Sequence, residues 1–306
     1  MSAMGLSERH RQSLLGLVLL AILGLSVLAA WTMVQARQAP ADRGKDMLRG
    51  IRTRTLSSYW GSQESSRWYL VRDSAGRSVG YMVRARKPVE KGHSGLTLMR
   101  MGNVQHGESW ALDAAATQGS YTSTIGGRGV LDTQITLRDD QVTVSRPWEG
   151  GSGKATSPAP GNYIPEGLMP LIVAEVSRTA AETRFCFIYD PESITREGVH
   201  FTAITMTPQG DGKVRLRSKF LQDEMDEVYH LDAAGEVDRI DDNITGASTR
   251  SIDLRSLGKL FPEVLELQQR LENEAIDAGK DEDVEDIEDI EEKFPALSDG
   301  PREAGL

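Results

Sequence analysis

The chain has 306 residues, 35 Lys and Arg against 45 Asp and Glu, and a net charge of −10. That charge is uneven: Glu263–Leu306 carries 16 acids and 4 bases, so the rest is nearly neutral and has no basic footprint for a nucleic acid. Cys186 is the only cysteine, which excludes an intrachain disulfide framework.

Residues 1–12 form a short N-terminal tail. The run Ser13–Gln35 follows, 23 residues without a charge, between Arg11 and Arg37. About 20 apolar helical residues cross a bilayer core, so the run is read as a single transmembrane helix. A cleaved signal peptide has a shorter apolar stretch, and a buried core helix is not expected of a run that is apolar on every face and sits at the terminus. Arg9 and Arg11 precede the run, whereas Arg37, Arg43, Lys45, Arg49, Arg52 and Arg54 follow it. That count favours a cytoplasmic C-terminal side. Long domains cross regardless of charge, and a first helix near the N-terminus acts as an export signal. The expectation is therefore a cytoplasmic N-terminus and an extracytoplasmic domain.

Residues 36–57 are polar and basic and read as a juxtamembrane stalk, with a short helix around Asp46–Arg52. Residues 58–250 read as an antiparallel β domain. Arg67–Val71 and Val79–Val83 flank Asp73-Ser74-Ala75-Gly76 and predict a hairpin. Further strands are expected at Leu96–Met101, Ser109–Asp113, Ser120–Ile125, Val130–Leu137 and Gln141–Ser145. Glu149–Gly161, rich in Gly and Pro, reads as a flexible loop. A short helix is expected over Pro165–Ser177. Strands resume at Arg184–Tyr189, His200–Met206, Lys213–Ser218, Glu227–Leu231 and Val237–Ile240. The fold class is thus mainly β (α+β): a curved meander of roughly 10–12 strands with covering helices.

The period changes over residues 251–278. Leu254, Leu257, Leu260, Phe261, Val264, Leu265 and Leu271 mark an amphipathic helix broken at Pro262. In the acidic tail, 279–306, nine of the twelve residues Asp281–Glu292 are acids. Val284, Ile287, Ile290 and Phe294 form an apolar stripe along it, a candidate for docking to a protein partner.

Chemical motifs are sparse. Gly153-Lys154 lacks the first Gly and the Ser/Thr of a phosphate-binding loop, and Gly92–Leu96 lacks the last Gly of a nucleophile elbow. His93, His106, His200 and His230 have no metal-ligand spacing, and Asp238, Asp241 and Asp242 lack the calcium-loop pattern. Asn243-Ile244-Thr245 is a glycosylation sequon, meaningful only in a secretory pathway that glycosylates. Cys186, inside an apolar run, reads as a packed thiol. No catalytic residue, metal or cofactor is expected. The aromatics Trp68, Tyr81, Trp110 and Tyr121 are candidates to line an apolar ligand site, against the alternative that they fill a core.

The strand rhythm over residues 58–245, with Trp68–Tyr81 and Tyr229–Ile240, resembles the extracytoplasmic half-barrels of the LolA/LolB type. That resemblance implies a curved sheet around covering helices that holds lipid-like groups. It carries over no site residue, and a fixed anchor and an acidic tail depart from it. Two functions are therefore expected: a non-catalytic tethered module that binds a partner or envelope component, or an apolar-ligand half-barrel. A hydrolase without a recognisable motif is a third alternative.

Overall fold

The computed structural model describes residues 8–126, 133–148, 151–189, 194–195, 197–219 and 224–278. The expected stripe at Val284, Ile287, Ile290 and Phe294 lies outside them. Fourteen strands form one antiparallel sheet: β1 (Ser65–Arg72), β2 (Ser78–Val89), β3 (Gly92–Met101), β4 (Val104–Asp113), β5 (Gly119–Gly126), β6 (Thr133–Arg138), β7 (Gln141–Trp148), β8 (Gly151–Pro158), β9 (Thr183–Phe187), β12 (Thr202–Gly210), β13 (Lys213–Lys219), β14 (Glu224–Leu231), β15 (Val237–Asp242) and β16 (Ser248–Ser251). A small hairpin, β10 (Ile194–Thr195) and β11 (Gly198–Val199), lies against β8, where the Val199 amide donates to Ser157 Oγ at 2.9 Å.

Each half of the chain builds a meander, and β1 joins β16 to fuse the halves. The sheet ends at β8 and β9. The segment after β8 returns to β9: the Ile164 amide donates to the Cys186 carbonyl at 2.8 Å, and the Cys186 amide to Asn162 O at 2.9 Å. The sheet thus curls into a barrel-like shell with a seam at Asn162–Ile164.

Helix α1 (Glu8–Arg54) runs without a break through Pro40. In its C-terminal half Pro40, Gly44, Leu48 and Ile51 are buried, one stripe at helical spacing, and the basic residues around them face water. The expected stalk over 36–57 is in fact this docked half-helix followed by α2 (Ser57–Trp60). Its contact with β9 is close, since a Cβ on Gly44 would stand 2.3 Å from the Arg184 carbonyl oxygen. Farther up, Leu23, Leu25, Val27, Leu28, Trp31, Met33 and Val34 are each at least 50% exposed. The expected span, Ser13–Gln35, falls on this upper half, and the side chains before Leu23 lie outside the described set. Among the described residues no helix is long and apolar enough to cross a membrane.

Two layers of helix cover the sheet. Inside, α1 and α3 (Met169–Ser177) pack on β9, β12 and β13, with Ile172, Val173 and Val176 against Phe185, Ile204, Met206 and Leu216. Pro170 stands at the first turn of α3, where its missing N–H is harmless. Outside, α4 (Leu254–Leu260) and α5 (Glu263–Ala278) seat Leu257, Val264 and Leu267 on Trp68, Leu70, Tyr81 and Val83. The break between them falls at the expected proline, Pro262.

Two expectations differ from the fold. Glu149–Gly161 is not simply a loop, because β8 pairs with β7 from Trp148↔Gly151 to Gln141↔Pro158. Sixteen strands stand where 10–12 were expected, because β8, β16 and the β10–β11 hairpin have too little apolar pattern to read as strands.

Candidate functional site: the barrel lumen

Strand register decides which side chains look inward. Arg67, Arg84, Thr97, Glu108, Ser123 and Thr133 stand opposite one another in sequence across β1 to β6. They form a polar belt on one face. The next inward row holds Arg86, Gly95, Trp110, Tyr121, Ile135 and Val144, and the row on the other side holds Tyr69, Met82, Met99 and His106. The facing wall contributes Glu227 and Tyr229 from β14, opposite Leu216 and Val214 of β13. Arg67 and Glu108 keep side-chain exposures of 30% although they point inward. The lumen is therefore filled by helices on the β9–β13 side; Ser123 and Thr133 of the belt are buried, and water reaches the belt at Arg67 and Glu108.

Aromatic rings hold two of the three inner arginines. Arg86 Cζ lies 4.7 Å from the centroid of the Trp60 ring, and Arg84 Cζ 5.9 Å from that of Tyr69. Tyr69 is fixed in turn by its hydroxyl, which donates to Val237 O at 3.0 Å. Arg67 is fully engaged, donating to Asp232 Oδ2 at 2.7 Å and to Val237 O at 2.8 Å. Burial lowers the Arg86 pKa against the opposing pull of Glu236. Burial likewise raises the phenols of Tyr69, Tyr163 and Tyr229 and the carboxyl of Glu227. Glu166, beside the lumen, accepts a 2.8 Å bond from the Tyr163 hydroxyl, and burial pushes its pKa up to about 7.

The four aromatics singled out from sequence divide between the two faces of the sheet. Trp68 and Tyr81 point outward beneath α4 and α5, their rings 6.5 Å apart, and Trp68 Nε1 donates to Gln268. Trp110 and Tyr121 point inward as cross-strand partners. Trp110 is gripped between Gly95 and Gly167, at each of which a Cβ would stand 2.4 Å from its ring. The structure does not bring the four into one lining. A groove of about 380 Å³ lies at the rim instead, between Ser66–Trp68 and Ser251–Leu254.

The remaining sequence candidates have local partners. His93 is buried, with Nε2 3.2 Å from Gly61 O and its ring edge-on to Trp60. His230 Nε2 lies 2.9 Å from Asp241, and Asp238 accepts from the Ser251 hydroxyl. Asp242 caps the following turn through the Ile244 and Thr245 amides. Gly153-Lys154 sits in extended β8 and Gly92–Leu96 in extended β3, so neither forms a strand-to-helix turn. Burial raises the Cys186 thiol pKa. Among the described residues no group of three or more His, Cys, Asp or Glu could hold a metal ion.

Sequence reading passed over Arg84, Arg86, Glu108 and Glu227. The available signal was a charge at every second position of an otherwise apolar strand, as in Val83-Arg84-Ala85-Arg86.

No protein-family model matches the chain, and no curated protein does. Among solved structures it is similar to a β-barrel-like protein of domain of unknown function DUF1849 from Brucella abortus, at 9% identity and a TM-score of 0.43, over 61% of this chain and 93% of that one.

Proposed function

We propose that this protein is a membrane-tethered binding module: α1 anchors the barrel to a bilayer, and the barrel binds a ligand or an envelope component without catalysis. The observation that carries the reading is the division of α1. Its C-terminal half is locked to β9 by the Pro40–Ile51 stripe, and its upper half leaves seven large apolar side chains exposed. Exposed apolar area of that extent needs a nonaqueous cover. At about 1.5 Å per residue the uncharged run is roughly 35 Å long, enough for a hydrocarbon core of about 30 Å. A continuous helix would hold the barrel at a fixed height above the membrane.

In this reading the barrel is extracytoplasmic, the acidic tail is free to dock its Val284–Phe294 stripe to a basic protein partner, and no nucleic acid is bound. The charged residues of the inner face, Arg67, Arg84 and Glu108, favour a polar ligand over the second reading, an apolar-ligand carrier of the LolA/LolB kind. That second reading draws on the sheet curling around α3. Alkaline carbonate washing of membranes tests the tether. The full chain should stay in the pellet, and a chain lacking residues 1–35 should move to the supernatant. A full chain that washes off would defeat the reading. Protease treatment of spheroplasts should then degrade the barrel and leave the N-terminus protected.

A further inference from the structure

The geometry points to a phosphate-binding site on the inner face of β1 and β2, formed by Arg84 and Arg86, that takes a single phosphate group. This rests on the binding-module reading and names the chemistry of its ligand. Arg67 and Arg84 are direct cross-strand partners, and Arg86 follows on the same face. Like charges placed directly opposite destabilise a sheet, so three arginines on one face need a return elsewhere.

Their partners show where that return is missing. Arg67 is satisfied by Asp232 and the Val237 carbonyl. Arg84 has the Tyr69 ring and, among the described residues, no carboxylate within ion-pair distance, Glu227 acting on it only at longer range. Among the described residues Arg86 reaches only Glu236, at 4.0 Å, and its buried Nε has no acceptor. A buried guanidinium N–H without an acceptor is an unusual and costly arrangement. Trp60 already holds Arg86 and Tyr69 holds Arg84, so an anion entering the lumen would meet ordered donors rather than freely rotating ones.

The chemistry of the ligand follows from the donors. Two guanidinium groups two residues apart offer N–H groups from separate planes, which suits a tetrahedral phosphate better than a flat carboxylate. Glu108 and Glu227 share the lumen, and Glu227 is held by the Tyr229 hydroxyl. Their charge would repel a polyphosphate, which limits the fit to one phosphate group. That group could arrive as a free ion or as the headgroup of a lipid from the adjoining bilayer.

The test is calorimetric titration of the full chain in dodecyl maltoside micelles with two probes, inorganic phosphate and dihexanoyl phosphatidylglycerol. Saturable binding of phosphate identifies a free ion, and binding of the lipid alone identifies a headgroup. Either supports the site. Arg84→Gln should weaken binding at least tenfold, and Arg138→Gln, on an exposed outer side chain, should leave it unchanged. Thermal melts show whether each variant is folded. Absence of saturable binding by the wild-type chain to both probes overturns the site, as does undiminished affinity in folded Arg84→Gln. A chain that resists carbonate extraction yet binds neither probe loses this site and keeps its tether.

Discussion

Glu166 gives the molecule a stability that depends on pH. Burial raises its carboxyl from the ordinary 4.5 to about 7, the Tyr163 bond opposes that shift, and the charge of Glu108 adds to it. The folded chain holds this proton more tightly than the unfolded chain. The group is therefore without penalty below pH 4.5; its penalty grows as pH rises from 4.5 to 7 and is complete above 7. The cost is on the order of 2 kcal/mol, allowing for some access of water. Asp226 acts in the opposite sense: its hydrogen bonds with Arg215 hold it at about 2, so it matters only below 3.8. The two windows do not overlap. Glu166→Gln, which still accepts from Tyr163, should leave the urea midpoint nearly unchanged at pH 4 and raise it at pH 8. Parallel midpoints for both proteins across that range would refute the assignment. None of this was legible in the sequence, where Glu166 falls at the start of the expected helix Pro165–Ser177 and nothing marks Tyr163 as its partner.

Helix α1 shows at the scale of one element how a glycine can be either required or expendable. Gly44 lies where the helix crosses β9, and Gly50 meets nothing within 4 Å of its missing Cβ. Gly44→Ala should therefore cost about 1–3 kcal/mol by forcing helix and strand apart. Gly50→Ala should stabilise by about 0.5–1 kcal/mol through helix propensity. Urea denaturation of the two variants checks the signs, and equal shifts would mean that the helix is not docked at Gly44. The docked stripe escaped sequence reading because two of its members, Pro40 and Gly44, count as helix breakers, and Arg residues surround Leu48 and Ile51. The Asp73–Gly76 hairpin was legible because its turn chemistry is local: Asp73 Oδ1 accepts the Ala75 and Arg77 amides, and Gly76 has a φ of +76°. The arginines of β2 were not. Both faces of β1 and β2 are covered, so Trp68, Tyr69, Leu70 and Val71 are all buried and the alternation that separates inside from outside disappears.

At the scale of the whole molecule the weak point is the seam. Elsewhere each strand is held to its neighbour by a ladder of several register pairs, such as the ten of β3 with β4. The two sheet ends meet through Asn162–Ile164, by two backbone bonds to Cys186 and one from Asn162 Nδ2 to Arg184 O at 3.2 Å. Tyr163, wholly buried among Ile135, Val144 and Ile188, adds packing but no ladder. Local opening should begin where buried contacts and backbone bonds are fewest. Cys186 reports on it directly, since it is the only thiol, its Sγ lies 3.7 Å from Asn162 Oδ1, and burial disfavours its thiolate. The intact chain should therefore react slowly with a thiolate-selective reagent at pH 8. Asn162→Ala removes the side-chain bond and should favour the open seam by about 1–2 kcal/mol, speeding the labelling about 5- to 30-fold. Because the other ladders are untouched, this acceleration should persist at urea concentrations far below the unfolding midpoint. Labelling that instead rises only with global unfolding would show that the shell opens as one unit and that Asn162–Ile164 is as strong as a strand.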